Sequence, residues 1–185
     1  RRALAQWVWR HVAAGGQVRA GLVALVRRDP ASSLTRLSAV VRDPVLSEWS
    51  LGPFHPNRAA TRVEILALLE KQPLDLGGPV SWRALLAARP IGREIFRASK
   101  IKEPGVRKCA GTAANRVLLD VDASEVREEF LRWDWLQHQK AFESHLIDRE
   151  GLKDLKQGEV ARFLERRASR VRASVSGFVA RRAGL

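Results

Sequence analysis

The stretch Arg93–Asp122, REIFRASKIKEPGVRKCAGTAANRVLLDVD, decides how this chain is read. It opens with an apolar pair, Ile95-Phe96, set between charges, and closes on a second apolar run, Val117-Leu118-Leu119. Two short antiparallel strands are expected near 93–97 and 115–120. Between and around them stand Arg93, Arg97, Lys100, Lys102, Arg107, Lys108 and Arg116, opposed only by Glu94 and Glu103 before Asp120, a local charge of about +5. Like charges crowd one loop at a cost unless water solvates each of them or an anion lies against them. The loop is therefore either a solvated basic surface or a contact for nucleic-acid phosphate.

The whole chain leans the same way. Its 185 residues suffice for one domain or two small ones, and 45% hydrophobic content excludes a disordered tail. A net charge of +13 and a pI near 11.3 select a polyanionic partner class, shared by ribosomal, chromatin and nuclease domains. With Cys109 the lone cysteine, no disulfide framework or thiolate metal cage forms within the chain, and a reducing, cytoplasmic setting is expected. No apolar run approaches the roughly 20 residues that span a bilayer, so no membrane partner is expected. The opening RRALAQWVWR is too short and interrupted for a signal peptide. The chain begins with Arg1, not Met, which suggests a piece of a longer protein.

Working outward, helical spacing recurs. Leu4, Trp7, Val8, His11 and Val12 predict a helix over 3–14 ended by Gly15-Gly16, with His11 on its apolar stripe as a core or boundary histidine. Further helices are predicted over 18–26, 33–41 and 81–88, and one over 58–71 with Val63, Leu66, Ala67 and Glu70 in one row. Residues 49–56 read as a loop, with His55 as a turn residue. Past Asp122, which with Glu125 resembles a capping box, Val126, Phe130 and Trp133 fall on one helical face and Trp135 off it, either packed on a neighbour or exposed for base stacking. The clearest helix spans 159–182, where Val160, Phe163, Leu164, Ala168, Val171, Val175, Phe178 and Val179 make one stripe. Arg162, Arg166 and Arg170 line another side, as a solvated face or a row that tracks a phosphate backbone.

Several chemistries are excluded. Gly105 to Gly111-Thr112 has five residues between its glycines and no Lys before the Thr, so it is not a phosphate loop. Glu143-Ser144-His145 carries the residue types of a hydrolase triad, but adjacent residues do not converge on one reacting atom, and no nucleophile elbow surrounds them. His138 and His145, seven apart, are not spaced as metal ligands on a helix, and no carboxylate pair of the glycosidase kind stands out.

Taken in order, Gln72-Pro73-Leu74-Asp75, Glu94-Ile95-Phe96, Ala114-Asn115-Arg116-Val117-Leu118-Leu119, Glu143-Ser144-His145-Leu146-Ile147 and the Arg-rich last helix resemble the C-terminal half of GmrSD-type restriction proteins, a His-Me finger (HNH-like) nuclease domain of phage defence. The WVWR run at residues 7–10 is similar to the helical lead-in of that half. The resemblance implies a mainly α fold, a helical shell around a small ββα core, and an upstream nucleotide-using sensor domain in the same protein. Its segments would be a lead-in over 1–90, the nuclease-like core over 91–140 and a C-terminal helical segment over 141–185. The family reads Asp/His-His-Ile-Phe-Pro at its first strand, where the second residue is the general base and the first helps hold a divalent metal. Here the stretch is Arg93-Glu94-Ile95-Phe96-Arg97, so Glu94 stands at the base position and Arg93 cannot bind a cation. Asn115 matches the asparagine that orients the base, and Ser124 falls nearest to a second asparagine of the metal site.

The expectation is a DNA-binding, nuclease-derived domain with cleavage weak or lost and no cofactor. Arg93, Arg97, Lys100, Lys102, Arg107, Lys108 and Arg116, with Arg162, Arg166 and Arg170, would contact DNA, and Asn115 would shape the cleft. The alternative is an active nuclease or nickase using Glu94 or His145 with Mg or Mn; a second is a helical protein-docking module.

Overall fold

The computed structural model describes residues 5–6, 8–10, 48–55, 57–75, 78–79, 92–119 and 126–184. The expected helices at 18–26, 33–41 and 81–88, the Asp122–Glu125 cap, His11, Asp120 and Ser124 lie outside those residues. Among the described residues the chain is mainly helical, with two small antiparallel strand pairs.

The pair that matters joins β3, Arg93–Glu94, to β4, Arg116–Val117, in the register Arg93↔Val117 and Glu94↔Arg116. (The other pair, β1 at Leu74–Asp75 and β2 at Gly78–Pro79, precedes it.) The β3–β4 strands are shorter than the sequence expects, and the cause is local. Ile95 still donates its N–H to the Asn115 carbonyl at 3.0 Å. One residue on, the Asn115 side chain captures both backbone groups of Phe96, so no ladder remains to extend. Gly92, buried at φ +83, feeds the chain into β3; a Cβ there would meet Phe54 at 3.5 Å, a conformation that favours glycine.

Between the strands the basic loop is more ordered than expected. A 3₁₀ turn at Ala98–Lys100 leads into helix α2, Pro104–Ala110. Proline at the first helical position has no N–H to leave unpaired, and Arg107 and Lys108 in the last turn complement the helix dipole. A second 3₁₀ turn, Ala113–Asn115, returns the chain to β4, and the Thr112 side chain caps it by accepting from the Ala114 N–H.

Before this hairpin lies α1, Ala59–Leu69. The expected row is half right. Val63 and Ala67 are buried, but Leu66 is 47% exposed and Glu70 points to solvent. The deeper row is Thr61, Glu64, Ile65 and Leu68, at i, i+3, i+4 and i+7. Thr61 belongs to it because its hydroxyl accepts from the His55 N–H at 3.1 Å. His55 is indeed a turn residue, its Nδ1 accepting from the Asn57 N–H.

After the hairpin come α3, Val126–Arg132, α4, Trp135–Ser144, α5, Arg149–Gln157, and α6, Val160–Ala183. Val126, Phe130 and Trp133 are buried together, as their spacing predicts. Trp135 is half-buried and stacks on Phe142, with centroids 5.8 Å apart. Asp134 and Asp148 cap α4 and α5, accepting from the Leu136 and Gly151 N–H groups. Gly158 in the left-handed region ends α5. The stripe on α6 is buried as expected from Phe163 to Val179, with Val160 partly exposed. One core cluster gathers Ile95 and Phe96 with Val117 and Leu119 of the hairpin, Phe130 of α3, Phe142 of α4, Leu152 and Leu155 of α5, and Phe163 and Leu164 of α6. Phe96 meets Phe163 edge-on at 5.5 Å.

The chain divides into two compact units, residues 50–174 and residues 1–49 with 175–185. The hairpin and its core belong wholly to the first. In the second, Trp9 packs edge-on against Phe178 at 5.4 Å and Arg10 donates to the Ala183 carbonyl at 3.1 Å.

Candidate nucleic-acid interface

Asn115 is the hub of the hairpin. It is fully buried, and its three side-chain hydrogen bonds go to backbone. Its Oδ1 accepts from the Phe96 N–H at 2.9 Å, and its Nδ2 donates to the Phe96 carbonyl at 2.7 Å and to the Ala110 carbonyl at 3.0 Å. The opposite amide orientation would set oxygen against two carbonyls, so the network fixes the assignment. One side chain thus ties the end of β3 to the end of α2 and closes the basic segment at its base.

A second buried side chain supports the same turn. Arg167, on α6, is 2% exposed. Its guanidinium donates to the carbonyls of Ala113 at 3.1 Å, Arg116 at 2.6 Å and His145 at 3.1 Å, and to that of Ala114. Burial lowers its pKa to about 9, which still leaves it charged at neutral pH. Four carbonyl dipoles compensate a charge that has no carboxylate among these partners. The sequence reading missed Arg167 because it followed the row Arg162-Arg166-Arg170. The signal was present: Arg167 lies between Phe163 and Val171 at spacings of four, on the apolar stripe itself.

The seven basic residues of the loop do not behave alike. Arg116 is drawn inward, bonding Glu94 at 2.7 Å across the strand pair with its guanidinium over the Phe54 ring at 5.2 Å. Burial lowers the pKa of Arg116 and Glu94 raises it in part. The other Glu94 oxygen accepts from the Ala98 N–H at 3.2 Å. Arg93 is half-buried. Arg97, Lys100, Lys102, Arg107 and Lys108 are exposed, and Glu103 is the one acidic residue exposed among them. The segment that carries them is compact, since Arg107 folds its Nε onto the Ile101 carbonyl at 2.7 Å. Five exposed cations are therefore carried within twelve residues of one another in sequence, on a segment tied at both ends by Asn115.

The row on α6 is not a uniform cationic face. Arg162 is exposed, but Arg166 pairs with Asp154 at 3.2 Å and Arg170 with Asp148 at 2.7 Å. Both acids come from α5 or its cap, so these two arginines bind helix to helix.

His145 is drawn into the core. It is 2% exposed, with Nε2 2.8 Å from the Leu74 carbonyl and its ring 5.6 Å from that of Phe130. Its neighbour Ser144 accepts from the Leu74 N–H at 3.0 Å and donates to the Ala141 carbonyl at 2.7 Å. Ser144 and His145 together grip both backbone groups of Leu74, a structural role for this tripeptide. Glu143 is exposed and accepts from Gln139.

The donors do not fit a divalent metal. Glu94 is engaged by Arg116 and Ala98, the Asn115 amide is consumed by backbone, and Arg93 adjoins Glu94. Among the described residues no group of three or more His, Cys, Asp or Glu is placed to hold an ion. Nor, among them, is any helix long and apolar enough to cross a membrane.

Comparison with protein-family models, curated proteins and solved structures gives no match.

Proposed function

We propose that this chain is a DNA-binding domain derived from a metal-dependent nuclease of the His-Me finger kind, with hydrolysis weak or lost. The observation that carries the reading is the platform at 97–108: five exposed cations, one exposed acid, and a backbone tied at both flanks, Phe96 and Ala110, by Asn115. A solvated basic loop needs no such anchoring, whereas a phosphate contact gains from side chains presented on a fixed backbone. The antiparallel pair β3–β4, with α2 between its strands and α3 after it, supports a ββα-like reading, and the Glu94-for-histidine replacement is consistent with lost water activation. In the longer protein that the resemblance implies, a nucleotide-using sensor domain upstream and phage or modified DNA would be the partners.

Fluorescence anisotropy with a labelled duplex over a salt series, run beside plasmid nicking with magnesium or manganese, tests the proposal. The expected result is binding that weakens steeply with salt and no metal-dependent nicking. Salt-independent affinity excludes phosphate contact, and absence of binding at low salt leaves the protein-docking alternative. Nicking abolished by Glu94→Ala restores the active nuclease.

A further inference from the structure

We propose that Glu94 occupies, and holds shut, an anion site that this fold builds for a phosphate group. Two donors from different elements converge on the two oxygens of this carboxylate. Nη2 of Arg116, on β4, meets Oε1 at 2.7 Å, and the backbone N–H of Ala98, opening the 3₁₀ turn, meets Oε2 at 3.2 Å. The cross-strand register Glu94↔Arg116 fixes the first contact. The Arg116 side chain is only 17% exposed and rests on Phe54, so its charge is partly desolvated and its position set.

The carboxylate fills this site incompletely. Nε of Arg116 is buried and has no hydrogen-bond partner. Nε–H and Nη2 form one edge of the guanidinium, the edge that a two-pronged oxyanion takes as a fork. Glu94 cannot complete the fork, because its second oxygen is turned to Ala98. A phosphate group has oxygens enough for Nη2, Nε and the Ala98 N–H together. Exposed Lys100 ends the same 3₁₀ turn that Ala98 opens and adds positive charge to that segment. Glu94 is 30% exposed, so an incoming anion can displace it into water.

On this account Glu94 is a brake. It neutralises Arg116 in the empty protein and competes with the anion that would replace it. The site itself follows from the contacts above; that its anion is a backbone phosphate rests on the nucleic-acid reading, and free phosphate is the other source.

The test uses the full chain as wild type, Glu94→Gln, Glu94→Ala and the double variant E94Q/R116Q, each checked for helical content by circular dichroism. Glutamine keeps an acceptor for the Ala98 N–H and removes only the charge; alanine removes both. One arm follows melting temperature against inorganic phosphate at constant ionic strength. Both single variants should rise more steeply than wild type, and the double variant should lose the gain. The other arm measures affinity for a labelled duplex at low salt. Glu94→Gln should bind about tenfold tighter, as one added charge-assisted contact implies, and its salt slope should steepen by about 1. No gain with inorganic phosphate in either single variant overturns the anion site, while steep salt-dependent binding by the wild type would still stand for the interface. A phosphate gain without a duplex gain supports the site and assigns it to free phosphate.

Discussion

Replacing Asn115 by aspartate changes one NH₂ for one oxygen and keeps the shape. The Phe96 N–H retains its acceptor, but the carbonyls of Phe96 and Ala110 lose their donor and face a carboxylate oxygen instead. Each lost bond is worth about 1 kcal/mol net, and orphaning two buried carbonyls beside a buried charge adds more. A total of about 3 kcal/mol or above at neutral pH is expected, which for this chain length lowers the melting temperature by roughly 6–12 °C. The penalty should depend on pH with a defined sign. The new carboxyl is buried against two carbonyls, so its folded pKa lies above its unfolded value. The folded state then binds the extra proton more readily, and Asn115→Asp is least destabilising below the unfolded carboxyl range near pH 4, worsening as pH rises through the folded pKa. Chemical denaturation of wild type and variant, side by side from pH 4 to 8, reads the difference directly. A melting temperature within about 2 °C of wild type, or a penalty flat with pH, would refute the place given to Asn115.

Two further substitutions probe the frame. Arg167→Lys replaces a rigid fork serving four carbonyls by a single ammonium, and should cost about 2–4 kcal/mol while accelerating amide exchange around 113–117; unchanged stability would remove Arg167 as the support of the turn. Ser144→Ala and His145→Phe should each destabilise by about 1–2 kcal/mol and leave duplex affinity unchanged, as read by urea melts and anisotropy; a loss of metal-dependent nicking at unchanged stability would instead make His145 catalytic.

Long-period features were the legible ones. The stripe from Phe163 to Val179 marks α6 because seven apolar positions in register leave few alternatives, and the two apolar runs lie beside the strand pair. The 97–110 segment reads as a loop in sequence because its helix is two turns long and carries little apolar periodicity, with Pro104 as its only start signal. Leu66 misled because α1 is buried around more than one row. The least legible feature was which cation does what. Arg116, Arg166, Arg167 and Arg170 look like Arg97 or Arg107 in sequence, yet their partners are Glu94, Asp154, four carbonyls and Asp148. Those partners come from other elements, up to 54 residues away for Arg167 and Ala113, and no local pattern encodes them.

The platform at 97–108 is the claim on which the function turns, and its salt dependence measures it most directly. Five phosphate contacts on a duplex predict a log–log slope of affinity against salt near −4.5, by the rule of about −0.9 per contact. Replacing Lys100, Lys102 and Lys108 by alanine together should flatten that slope by about 2.7 and leave the melting temperature unchanged, since all three side chains are exposed. A triple variant with the wild-type slope would place the phosphate contacts elsewhere and contradict the account.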